Sequence, residues 1–231
     1  HEVIALNEGT VWTGSPNRND NPLALVALPA IRKLVFEGRQ KEAQELASRT
    51  MQTRKSNGQM YQPVGHLNLL FPGEDQATGY SRELDLARAL VTVRYKLGSV
   101  TYRREVFASA PAGVIVMRLS ADQPGKINFS AYLSTAQPKP QIHTIGEDEL
   151  QLRGATGGHE TVPGGQLRYD ALVKIKPLGG TLSANDTSIT VSRASSVIIY
   201  ISIATNFRKY DDLSGDENFL ADSILQHRDD P

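Results

Sequence analysis

The sequence predicts a mainly β fold, a large antiparallel β-sandwich, and three observations predict it. From Val64 onward, ten or more short apolar or alternating runs follow one another at close spacing. Turn-forming clusters separate them: "FPGED", "LGS", "SAPAG", "DQPG", "PLGG" and "SAND". No long helical pattern alternates with the runs, which argues against a parallel α/β sheet. The 231 residues suit one large β domain, which can run to roughly 200–250 residues. That length can bury a core without staples.

The chain opens on "EVIAL", a short strand, and then enters "LNEGTVWTGSPNRNDNP", Leu6 to Pro22. This loop holds the only Trp, one Glu, one Asp, four Asn and two Gly, which is turn chemistry. Two short helices follow. Pro29 suits a first helical position, Ile31, Leu34 and Val35 share a face, and Gly38 is a natural stop. Gln40 to Met51 carries Ala43, Leu46, Ala47 and Thr50 on one face. The pair is expected to pack side by side on something larger. The strands then read as "VGHLNLLF", "ELDL", "VTVRYKLG", "VTYRREVFAS", "GVIVMRLSA", "INFSAYLS", "ELQLRG", "LRYDALVKIKP", "SITVSR" and "VIIYISIAT". "KLGSVTY" and "RLSADQPGKINF" read as hairpins. "VIIYISIA" is apolar almost throughout, as a central strand covered on both faces would be. The tail "SGDENFLADSILQHRDD" places Phe219, Leu220, Ile224 and His227 at helical spacing, with Ser214 or Asp216 as the cap.

Composition narrows the function classes. Lys+Arg and Asp+Glu are both 25 and the net charge is zero. No basic excess is available for phosphate backbones or anionic membranes, so neither nucleic acid nor membrane insertion is expected. The absence of cysteine removes disulfides, thiolate catalysis and cysteine metal sites. No apolar run approaches the roughly 20 residues that span a bilayer. His1 falls inside a strand pattern, as at a trimmed boundary.

Local chemistry is sparse. The five histidines, His1, His66, His143, His159 and His227, lack i,i+2 or i,i+4 partners, so no zinc constellation forms. His66 reads as a polar strand-entry residue and His159 as a loop residue. Glu83 and Asp85 in "SRELDL" would share a strand face, as paired carboxylates in glycoside hydrolysis do. The arginines nearby make exposed ion pairs on a sheet the plainer account. No nucleophile elbow, P-loop, dinucleotide fingerprint or H-E-x-x-H occurs. The opening loop is the richest candidate. Trp12 offers a flat face to the apolar side of a sugar ring. Asn7, Asn17, Asn19 and Asn21 offer paired donors and acceptors for hydroxyls, and Glu8 offers an acid or base. The plainer account is that Trp12 plugs a domain core while the Asn residues satisfy their own turns.

The order of these blocks carries a resemblance. "LNEGTVWTGSPNRNDNP", "LPAIRKLVFEGRQKEAQELA", "YQPVGHLNLLF", "YSRELDLARALVTVRY", "VTYRREVFASAPAGVIVMRL", "LRYDALVKI" and "IATNFRKY" together resemble the N-terminal domain of glycoside hydrolase family 95. These are the α-L-fucosidases, with some α-L-galactosidases. The likeness runs from about residue 5 to about residue 212. Departures are mild: His66 stands where an acidic residue is common, and Glu8-Gly9-Thr10 stands where "EDT" is usual.

The resemblance implies a super-sandwich of the galactose mutarotase type over residues 1–212, with residues 213–231 starting a helical linker. That linker would lead to an (α/α)6 barrel outside this sequence. The barrel is implied to hold a Glu general acid and a water activated through Asn and Asp, and to invert the anomeric carbon without a cofactor or metal. No catalytic residue carries over onto this chain. Asn7, Glu8, Trp12, Asn17 and Asn19 are at most rim residues for a fucosylated glycan. The implied partner is the chain's own C-terminal barrel, and the implied location is periplasmic or extracellular. The chain alone is expected to be inactive. The rival reading is a free-standing carbohydrate-binding module built on Trp12 and its neighbouring Asn residues.

Overall fold

The computed structural model describes residues 1–16, 20–53, 59–158 and 164–226. Among them are thirteen strands and three α-helices. The strands form two sheets. The smaller has five strands in the order β1 (Glu2–Leu6), β2 (Gly65–Leu70), β7 (Ile127–Ser134), β12 (Ser188–Ala194), β11 (Thr181–Ala184). The larger has eight, in the order β3 (Thr78–Asp85), β4 (Leu90–Leu97), β5 (Val100–Ser109), β6 (Val114–Ala121), β13 (Ser196–Thr205), β10 (Arg168–Leu178), β9 (Glu149–Ala155), β8 (Gln141–Ile145). The pairings in both are antiparallel. The β-sandwich expected from the sequence is what the chain builds.

The core follows from strand alternation. Leu67 and Leu69 of β2, Phe129 of β7 and Ile189 of β12 point inward from the small sheet. Met117, Leu119, Leu150, Leu152, Tyr169, Ile175 and Ile199 meet them from the large one. Truncating one such Leu to Ala typically costs about 2–5 kcal/mol. β13 lies between β6 and β10. Its outer face carries Ala204, which packs with Val114 and Leu172 under Ala221 and Leu225 of α3 (Glu217–Gln226). This is why "VIIYISIA" is apolar on both faces.

Several local expectations need correction. "KLGSVTY" is a hairpin, with Leu97 opposite Val100 and Gly98 at φ 57°. "RLSADQPGKINF" is not: β6 already pairs with β5 and β13, so the chain crosses to the other sheet and begins β7 there. β8 and β11 escape the sequence pattern because both are short, polar edge strands.

The first helix, α1 (Ala24–Phe36), begins five residues before Pro29. The run of helix formers from Leu23 to Leu28 starts it, and the Asn21 side chain accepts from the Leu23 amide at 3.0 Å. Pro29 sits inside, so the Leu25 carbonyl loses its helical partner. Gly38, at φ 75°, ends the helix as expected. α2 (Gln40–Thr50) packs against α1, but α1 buries no residue and α2 buries only Ala43.

In α3 the cap is Asp216, whose carboxylate accepts from the Asn218 and Phe219 amides at 3.1 and 3.0 Å. The buried face is Glu217, Ala221 and Leu225, with Ile224 alongside. Phe219 and Leu220 point outward, contrary to the sequence expectation. The i,i+4,i+8 stripe wins because small Ala221 lets the helix lie close to β13. His227 lies outside the described residues.

Candidate functional site

The opening loop is held between β1 and the segment before β2. Val64 donates to the Leu6 carbonyl at 3.0 Å, Gln62 to Val11 at 2.9 Å, and Thr13 to Met60 at 2.8 Å. Trp12 bridges to Tyr61, with the rings edge to face at 5.5 Å. The indole nitrogen donates to the Gly9 carbonyl at 3.0 Å. Trp12 is nonetheless 43% exposed, so it is anchored at its polar edge and open on its apolar side. It does not plug the core.

Glu8 is committed to its own turn. One carboxylate oxygen takes both the amide (2.8 Å) and the hydroxyl of Thr10. The Thr10 hydroxyl also lies 2.6 Å from that of Thr205, at the end of β13. Asn21 bonds Leu23 and the Gln52 carbonyl, the latter at 3.0 Å, and serves the helix start. Asn7 is exposed. Asn17 and Asn19 lie outside the described residues, as does His159. Of the described rim candidates, Trp12 lines a cavity.

That cavity is a groove of about 490 Å³ lined by Thr10, Trp12, Gln59, Phe207, Tyr210 and Leu213, among others. Trp12, Phe207 and Tyr210 are all exposed. The groove is apolar with a polar rim, and no carboxylate is among the described residues that line it. It can bind a flat apolar face; the described residues that line it hold no pair of acids of the kind glycoside hydrolysis uses.

Asn206 braces Leu213 of the groove wall from behind, and sequence reasoning missed it. It is fully buried. Its amide donates to the carbonyls of Gln166 (3.1 Å) and Leu213 (2.9 Å), and its oxygen accepts from the Arg168 amide at 2.9 Å. Gly215 donates back to the Asn206 carbonyl at 3.0 Å. A Cβ at position 215 would fall 2.8 Å from that oxygen, so only glycine fits. A lone Asn closing an apolar strand was its only sequence signal. Through Asn206 the groove adjoins the segment that leads into α3. The opening loop therefore sits beside the segment that leads into the C-terminal helix.

The other sequence candidates are structural. Asp85 accepts from the Ala87 and Arg88 amides and shapes a turn, while Glu83 is exposed on edge strand β3. His66 lies in β2, opposite Ala5 and Ser134. At the mouth between the sheets, Arg104 is only 5% exposed. It bonds Glu2 (2.9 Å), Glu74 and the Tyr95 hydroxyl (2.8 Å), and it lies 3.9 Å over the Phe71 ring. Burial, aided by the bond to Glu74, pushes the Tyr95 hydroxyl well above its ordinary value. Among the described residues no cluster of three or more His, Asp or Glu could hold a metal ion.

Comparison with known proteins places this geometry. The family described as "Glycosyl hydrolase family 65, N-terminal domain" matches residues 1–210. Alpha-L-fucosidase 2 of Arabidopsis thaliana is 28% identical over 229 residues, covering 89% of this chain and 26% of that protein. "Probable alpha-fucosidase A" of Aspergillus niger is 27% identical, covering 83% and 23%. Its namesake from Aspergillus oryzae is 25% identical, covering 89% and 29%. The chain thus spans about a quarter of the length of these relatives. The matching family carries the number 65 where the sequence resemblance pointed to 95. The fucosidase side of that resemblance rests on the curated relatives. With 210 of its 231 residues matched, the chain belongs to the family of glycosyl hydrolase family 65 N-terminal domains.

Proposed function

We propose that this chain is the non-catalytic N-terminal sandwich of an α-L-fucosidase-like glycoside hydrolase. The parent cleaves terminal α-L-fucosyl linkages with inversion, in the periplasm or outside the cell. Its chemistry resides in a C-terminal helical barrel, reached by a linker that starts near residue 213. The observation that carries this reading is the uncovered apolar surface at the Trp12 groove, next to the segment that leads into α3, and on α1. Trp12, Tyr61, Phe207 and Tyr210 stand exposed around the groove, and Leu25, Val26 and Phe36 of α1 are about as open as side chains can be. Apolar surface of this kind marks an interface. The fucosidase relatives, four times longer, support a large partner within the same polypeptide.

The aromatic groove also favours a second reading, a free-standing carbohydrate-binding module. The two part company on hydrogen exchange. Joined to its downstream sequence, this domain is expected to show strong new protection at residues 12, 61, 207 and 210 without any sugar present. If those positions stay as open in the longer protein as in the 231-residue chain, the docking reading fails. Protection that appears only on adding a fucosylated oligosaccharide would establish the module.

A further inference from the structure

The small sheet stops short of covering the inner face of the large one. In mid-sandwich that face is sealed: Leu119 and Met117 of β6 and Val197 and Ile199 of β13 are 0–1% exposed. Further along the same strands it opens. Val106 of β5, Ile115 of β6 and Ile203 of β13 are half-buried, and Ala108, beyond Val106, is exposed. Their partners across the sheet, Met117, Ile201 and Ala171, are core residues. Opposite residues share a face, so Val106, Ile115 and Ile203 form one apolar strip on the inner side, packed against the core.

β1 borders this strip. It is an outermost strand of the small sheet, whose far side is seated through β12 on β8, β9 and β10. At the start of β1, Glu2 bonds Arg104, the inward neighbour of Val106 on β5, at 2.9 Å. Past its end, the Thr10 hydroxyl lies 2.6 Å from that of Thr205, the inward neighbour of Ile203 on β13. Between them Ile4 is only half-buried. Among the described strands β1 pairs with β2 alone. Its other edge therefore presents unpaired backbone groups beside exposed apolar surface.

The other edges are defended and this one is not. β3 has a register shift between Thr78 and Ser81, around Gly79, and carries Arg82, Glu83 and Asp85. β11 is four residues long, and β8 carries Gln141, His143 and Thr144. Such devices discourage stray pairing. β1 has no proline, lysine or bulge, and its one charge turns inward to Arg104. An undefended edge suits permanent occupation. We infer that a sixth strand completes the small sheet, paired to the free edge of β1 and laying apolar side chains on Val106, Ile115 and Ile203. Its source is a segment of the parent polypeptide outside these 231 residues. The chain spans only about a quarter of its curated relatives, and a strand from the same polypeptide never leaves β1 bare. The inference rests on the longer parent proposed above, but not on where a barrel docks.

The chain has no cysteine, so single introduced thiols report on the strip. Val106→Cys, Ile115→Cys and Ile203→Cys are each made in the 231-residue chain and in the full-length parent. Maleimide labelling is followed by peptide mass spectrometry, with Asp186→Cys on the exposed β11–β12 turn as the reference. In the parent, labelling of the strip should slow by about ten-fold or more, because a covered thiol reacts only through local opening. In the unsubstituted proteins, those amides of Val3, Ile4 and Ala5 that exchange fast in the chain should become protected in the parent. Thiols as reactive in the parent as in the chain would overturn the inference. So would slowed thiols with the β1 amides still open, which is cover without a paired strand. Labelling of the chain alone that slows as its concentration rises would give the edge to a second copy instead. Tyr210→Cys in the Trp12 groove reports barrel docking separately, so either reading can fail without the other.

Discussion

Arg168 and Glu217 form a two-pronged ion pair, with the guanidinium Nε and Nη2 donating to the two carboxylate oxygens at 2.7 and 3.2 Å. It fastens the first turn of α3 to the start of β10. Arg168 is about half exposed, so solvent screens the pair. Exposed pairs are worth about 0.2–1 kcal/mol. Glu217→Ala should therefore barely change global stability but should loosen α3. Hydrogen exchange is expected to speed up at Ala221 and Leu225 while Leu172 and Val173 keep their protection. Equal loss in helix and sheet would mean that α3 is integral to the sandwich.

Asp170 is fully buried in β10. Gln151 donates to one of its oxygens at 2.7 Å, and the other oxygen has no partner. Burial pushes its carboxyl above the ordinary range, and Arg153 and Gln151 offset this only in part. The folded protein thus holds the proton at a pH where the unfolded chain releases it. Stability then falls as pH rises from the unfolded value through the folded one. Below the unfolded value the penalty is absent. Asp170→Asn should gain on the parent sequence in thermal melts as pH is raised from about 4. A difference in Tm that is flat with pH would refute this.

Arg104 carries charge into the mouth of the sandwich and meets carboxylates from both sides. Removing one partner of a buried ion pair costs about 3–5 kcal/mol, because the others are left uncompensated. Arg104→Met should show that loss in urea unfolding. In a Glu2→Gln, Glu74→Gln background the same change should cost much less. Equal cost in both backgrounds would assign the effect to lost packing on Phe71.

Gly154→Ala would drive a methyl into the Tyr169 hydroxyl. Overpacking of this kind costs about 1–3 kcal/mol. Tyr169→Phe should restore part of it, because the Cβ would still lie 2.6 Å from the ring carbon beneath the hydroxyl. Additive destabilisation in the double variant would show that the two residues do not meet.

The sheet core was legible because its signal is local. Alternation in β7 and β10 and the apolar run of β13 state their own burial. β8 and β11 were not, since edge strands carry little apolar pattern. The crossover after β6 reads like a hairpin, and only strand partners elsewhere in the chain decide otherwise. In the opening loop the sequence supplied the right residue types but could not assign them. Glu8 is consumed by Thr10 in a local turn, but the Thr205 hydroxyl that meets Thr10 and the Tyr61 ring that meets Trp12 come from distant segments. Asn206 escaped notice for the same reason: its role depends on what lies across the fold, on Gln166 40 positions away.

The central claim is that this sandwich belongs to a fucosidase-like enzyme without performing its chemistry. The most direct measurement is turnover of an aryl α-L-fucoside by the 231-residue chain and, side by side, by the same chain joined to its downstream sequence. The longer protein should turn over with inversion, and the chain alone should show no activity above buffer. Turnover by the chain alone, abolished by Glu8→Gln, would place the chemistry in the opening loop and contradict the account.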